Sequence, residues 1–181
     1  MMKRLFCTVA AAALSACASA NTSQQDPVNQ RVAAVADGAM IQTENTPAAS
    51  HEIDAPATAV WPALEKAYAQ LGIPVAVNDP RLHRIGNTNF FKYGRMNGSP
   101  ISEYANCGIG PTGARADNSR VYFSVITTVS AVDATHTRLS TDVRPVAVDM
   151  TGTTNARITC GSTGHLEDQL NEAVKAALAG K

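Results

Sequence analysis

With 181 residues, 45% of them apolar and 17% charged, the chain can bury the core of one ordinary domain and is not a solvated, disordered polymer. Fifteen basic groups balance fifteen acidic ones. No general affinity for polyanions follows, so nucleic acid is not an expected partner. Beyond residue 17 there is no apolar run long enough for a membrane span.

Lys3 and Arg4 precede an apolar run from Leu5 to Leu14, and small residues then lead to Cys17. A basic start, a short apolar stretch and small residues at a cleavage point describe a secretory leader rather than a structural helix. The ending Leu14-Ser15-Ala16-Cys17 resembles the lipobox of bacterial lipoproteins. That resemblance implies removal of residues 1–16, acylation of Cys17 as the first mature residue, and permanent anchoring through several acyl chains. Ala18 and Ser19 place no acid at the second mature position. By the pattern of enteric lipoproteins this implies the outer membrane, facing the periplasm.

Cys7 leaves with the leader and Cys17 takes the lipid, so Cys107 and Cys160 remain. In an oxidising compartment such a pair reads as one structural disulfide, with two buried thiols as the plain alternative. No histidine stands at ligand spacing from either cysteine, so a metal site is not expected.

Residues 17–48 are rich in Ala, Ser, Thr, Asn and Gln, a composition that reads as a flexible tether. Val32 to Val35 with Met40-Ile41 are the only hint of a strand there. The domain is expected over residues 49–181, opening with a strand at Ser50–Ile53. From Thr58 to Leu71, Val60, Trp61, Leu64, Ala67, Tyr68 and Leu71 recur at helical steps, with Gly72 as the stop; Pro62 fits the first turn if Thr58 is the cap, and otherwise kinks the helix. Ile73 to Val77 then reads as a strand, Asn78-Asp79-Pro80 as a turn, and Leu82 to Phe91 as the second strand of a hairpin. Gly94 to Asn118 is rich in glycine and reads as a long irregular loop. Val121, Phe123, Val125 and Val129 alternate with polar residues, as do Leu139 and Val143 beyond a turn at Asp133-Ala134. Alternation of this kind marks antiparallel strands with one wet face. A short strand at Asn155–Cys160 and an amphipathic helix bearing Leu166, Leu170, Val174 and Leu178 complete the chain.

This order predicts an α+β fold, a curved antiparallel sheet with two helices packed on one face. The run Ala59-Val60-Trp61-Pro62-Ala63-Leu64 leading to Leu71-Gly72-Ile73-Pro74-Val75 resembles the helix-grip class, nearest to the BamC-type outer-membrane lipoprotein domain. The resemblance covers residues 50–92 and the final helix, and implies an accessory role in envelope assembly. The Cys107/Cys160 pair and the glycine-rich loop depart from that pattern.

Gly108-Ile109-Gly110-Pro111-Thr112-Gly113 matches a dinucleotide fingerprint formally. Pro111 interrupts the turn and no amphipathic helix follows, so a loop is expected there and no cofactor. Arg81, His83, Arg84, Lys92 and Arg95 surround Phe90, Phe91 and Tyr93. Such a run is ordinarily a strand with aromatics inward and charges solvated, but it can also hold an anionic headgroup or a glycan. The candidate ligand-binding residues are therefore Trp61, Tyr68, Phe90, Phe91, Tyr93 and Arg95. No histidine cluster or nucleophile elbow is apparent, and the expectation is a non-enzymatic envelope module that binds a protein or cell-wall partner. The alternative is a carrier of small hydrophobic ligands, with a cavity between helix and sheet lined by Trp61, Leu64, Tyr68, Phe123 and Val125. Nothing in the pattern sets an oligomeric state.

Overall fold

The computed structural model describes residues 48–150 and 156–180. The leader, Cys17, the expected tether up to residue 47 and Asn155 lie outside the described residues. Strand β1 (Ala49–Ile53) leads into helix α1 (Ala57–Gln70). Pro56, not Thr58, occupies the cap: its φ of −66° is fixed by its ring, and its carbonyl accepts the Ala59 and Val60 N–H groups. Pro62 sits within the helix with its ring exposed, and the helix runs on to Gln70. The helix stops as expected at Gly72, whose φ of +61° closes a Schellman turn in which the Ile73 N–H reaches the Tyr68 carbonyl at 3.0 Å.

The hairpin that follows is shifted from its expected bounds. Strand β2 is only Val77–Asp79, and β3 is Arg84–Tyr93. Ile73 to Ala76 lie outside any strand, and Pro74 has no N–H to offer a ladder. The turn moves to Pro80–His83, where the Asp79 carboxylate accepts the Arg81 and Leu82 N–H groups at 3.0 and 3.1 Å.

The glycine-rich stretch is built from short pairings. These are β4 (Arg95–Met96) with β5 (Ser99–Pro100), then β6 (Ala105–Asn106), then β7 (Ile109–Gly110) with β8 (Gly113–Ala114). Asp117 ties two of its turns together by accepting both the N–H and the hydroxyl of Ser102, each at 2.8 Å. The long strands β9 (Ser119–Ala131) and β10 (Thr137–Asp149) pair along their whole length. Asp133 closes their hairpin by accepting the Thr135 and His136 N–H groups, and the Thr135 N–H together with the His136 ring holds its carboxyl well below the usual range. Strand β11 (Arg157–Thr159) returns beside β10, β12 (Gly161–Ser162) pairs β6, and α2 (His165–Leu178) ends the described chain.

The main sheet runs β1-β10-β9-β3-β4-β5, with β11 on β10 and β2 on β3, every pair antiparallel. The α+β reading, a curved sheet with two helices on one face, holds. Both helices bury one stripe against the sheet's inner face, where Val60, Leu64, Leu166, Leu170 and Val174 meet Val121, Phe123, Val125 and Val129 in one core cluster. Burying each such side chain stabilises by about 1.5–3 kcal/mol. Gly86 in β3 has a packing reason: a Cβ there would stand 2.0 Å from the Val125 carbonyl oxygen. No helix among the described residues is long and apolar enough to cross a membrane.

Candidate functional site

The site begins with a bulge. Strand β3 pairs Asn87 with Val125 and then Phe90 with Phe123, so one residue of β3 has no counterpart on β9. Side chains alternate faces along a strand, and an extra residue reverses the alternation beyond it. Ile85 and Asn87 face inward; without the bulge Phe91 and Tyr93 would do the same. With it, Phe90 enters the core and stacks on Phe123 at 5.6 Å, while Phe91 and Tyr93 turn to the sheet's outer face, 55% and 63% exposed. The expectation of aromatics inward therefore holds for Phe90 alone. Asn87 fixes the irregularity: its amide donates to the Pro74 carbonyl and its oxygen accepts the Asn89 N–H, both at 2.7 Å.

The strand register then composes two rows across the outer face. One reads Arg157, Val148, Arg120, Tyr93; the next reads Thr159, Val146, Tyr122, Phe91. Neither contains a carboxylate. Phe91 and Tyr122 lie 5.8 Å apart with rings tilted by 49°, and the Arg120 guanidinium sits 5.0 Å from the Phe91 centroid. At a half-exposed site such a cation–π contact contributes about 0.5–1 kcal/mol. Among the described residues Arg120 has no ion pair, whereas Arg144 in the following row is neutralised by Asp142 at 2.8 Å. Beside Phe91, at the rim, opens a cleft of about 600 Å³ lined by Ile73, Pro74, Val75 and Lys92.

The other candidate residues fall elsewhere. Trp61 is half-buried on α1 against the core. Tyr68 is fully buried; its hydroxyl bonds Thr127 at 2.9 Å and burial pushes its pKa up to about 12. Arg95 braces its own turn by donating to the Gly98 carbonyl. Leu64, Tyr68, Phe123 and Val125, named for a carrier cavity, are fully buried members of one core cluster.

Cys107 and Cys160 are joined as a disulfide. Beside it lies a cleft of about 610 Å³ lined by Ser102, Asn106, Cys107, Ile109, Ser162 and Thr163. The Ser162 hydroxyl donates to Glu167 at 2.7 Å, and burial raises that carboxyl above its ordinary value. His165 stands apart from this pair, packed on Tyr104 at 5.0 Å and 3.8 Å from Glu103. The Gly108–Gly113 segment forms the β7–β8 hairpin and leads into a 3₁₀ turn of four residues, Arg115–Asn118, not into an α-helix. Among the described residues no three His, Cys, Asp or Glu side chains are grouped to hold a metal ion.

No protein-family model matches the chain, and no curated protein matches its sequence. The residues missed from sequence are Arg120, Tyr122 and Arg157. The alternation that places Phe123 inward already put Arg120 and Tyr122 outward, but nothing local joined them to Phe91.

Proposed function

We propose that this protein is a lipid-anchored module of the cell envelope, facing the periplasm from the outer membrane, and that it binds another envelope component without catalysis. The observation that carries the binding reading is the outer-face pair of rows, with Phe91 and Tyr93 held in solvent beside Arg120, which has no ion pair among the described residues. Exposed rings among cations are the composition of a recognition surface, since aromatics and arginine dominate buried contacts once a partner arrives. The anchor rests on Leu14-Ser15-Ala16-Cys17. A structural bridge between Cys107 and Cys160 agrees with an oxidising compartment.

Radiolabelled palmitate tests the anchor. Label should enter the wild type and not a Cys17→Ser variant, which should move from the membrane to the soluble periplasmic fraction. A photo-crosslinking side chain at Tyr93 tests the face. It should capture an envelope component that the same probe at Lys66, on the exposed side of α1, does not.

A further inference from the structure

We infer that the outer-face rows around Arg120 and Phe91 are a docking surface for the headgroup phosphates of an anionic bilayer, a reading that rests on the lipid-anchored envelope role proposed above. Charge complementarity argues for it first. Arg157 and Arg120 alternate with Val148 and Tyr93 across four strands, and no carboxylate interrupts either row. The nearest acid on this face, Asp142, is engaged by Arg144. Asp149, opposite Ser119, has the parity of the inner face.

The state of Arg120 chooses among anionic partners. Its guanidinium lies over the Phe91 ring, which orients the group, and among the described residues no carboxylate pairs with it, so its N–H edges can make bidentate contact with phosphate oxygens. The same contact occupies a face of Phe91 that a flat sugar ring or a base would need for stacking. What the surface presents is therefore a braced cation among apolar side chains. Phe91, Tyr93 and, just past β10, Met150 are each about half or more exposed. Aromatic and apolar groups flush with arginines suit the headgroup layer of a membrane. The chain between Cys17 and Ala49 is long enough to span at most about 115 Å if extended, so an anchored domain can reach the bilayer with this face.

The test uses the full mature chain carrying Cys17→Ser, so that no acyl chain contributes. It is floated with vesicles of phosphatidylcholine, with or without phosphatidylglycerol, and sedimented separately with purified peptidoglycan. Binding should require phosphatidylglycerol, weaken with added salt, and fall about fivefold for each of Arg120→Gln and Arg157→Gln. Lys66→Gln should leave it unchanged, and circular dichroism should report every variant folded. Equal binding to neutral vesicles, no binding to vesicles, indifference to Arg120→Gln, or capture by peptidoglycan alone would each overturn the inference. Failure of palmitate labelling would remove the anchor yet leave the vesicle result standing, so the two readings fail separately.

Discussion

The side-chain amide of Asn87 donates to the Pro74 carbonyl at 2.7 Å, tying the bulge of β3 to the segment that leaves α1. Its oxygen takes the Asn89 N–H, and the residue is nearly buried. An Asn87→Leu substitution leaves both groups without a partner, at about 1–3 kcal/mol for each that stays dry. It also removes the brace that holds the extra residue. Chemical denaturation should show the loss of stability. The nuclear Overhauser contact between Phe91 and Tyr122 should weaken as β3 moves toward the unbulged register. Unchanged stability with that contact intact would mean the bulge is set elsewhere.

That bulge also marks where sequence reasoning stops. Leu166, Leu170 and Val174 at steps of four identify α2, and the alternation of Val121, Phe123 and Val125 identifies β9, because each pattern is local and matches one period. Gly72 ends α1 as expected, since a left-handed residue there is required by the turn itself. Asn87-Thr88-Asn89 carries no local sign that one residue will be left unpaired, and the inside-outside assignment of every later residue in β3 depends on it. Ile73 to Ala76 misled for a related reason. The β-branched side chain of Ile73 suggests a strand, but Pro74 withholds an N–H and the ladder begins only at Val77. Arg120 and Arg157 meet Tyr93 only through the pairing of strands distant in sequence, which no local window contains.

The disulfide should matter more to the short-stranded region than to the long sheet. Cys107 and Cys160 are 53 residues apart, and chain-entropy reasoning gives about 4 kcal/mol for closing a loop of that length. Reduction, or the Cys107→Ala/Cys160→Ala double variant, should lower the melting temperature. Amide exchange should rise first over β6, β7 and β8, while β9 and β10, paired along their whole length, keep their protection. Uniform loss of protection would show instead that the bridge supports the entire domain.

Tyr68 joins α1 to the middle of the sheet through Thr127, which in turn contacts Thr141 at 3.0 Å. In Tyr68→Phe the two threonines keep each other as partners, but the bond the hydroxyl donates to the Ile85 carbonyl at 3.3 Å is lost as well, so the cost should be that of two hydrogen bonds, about 1–3 kcal/mol. The alkaline behaviour is more diagnostic. Burial raises the folded-state pKa to about 12, above the value of about 10 for an unfolded chain. The resulting stability is present below about pH 10 and is lost as pH rises toward the folded value. Wild type should thus lose stability across that window more steeply than Tyr68→Phe, as read by denaturant midpoints. Parallel curves would show that Tyr68 ionises as freely folded as unfolded.

Glu167 gives the opposite end of the pH scale a measurable handle. It is nearly buried, accepts the Ser162 hydroxyl with one oxygen, and has no partner for the other among the described residues; Asn171, one turn along α2, has a buried oxygen in the same condition. Desolvation raises the carboxyl pKa, opposed by the Ser162 bond and aided by Asp168 and Asp142. A folded-state pKa above the unfolded value stabilises below the ordinary glutamate range of about 4.3, and that contribution is lost as pH rises through the folded value. Glu167→Gln keeps an acceptor for Ser162 and removes the ionisation. The variant should gain stability over wild type as pH climbs from 5 to 8 (~3 pH units), measured by urea midpoints. His136, raised by its bond to Asp133, loses its contribution in the same direction, but it is common to both proteins and cancels in their difference. Asp133 is held below the ordinary aspartate range, so its contribution is lost as pH falls below that range, outside the interval. If the difference between variant and wild type stayed constant with pH, the Glu167 carboxyl would have to titrate alike in the folded and unfolded chains.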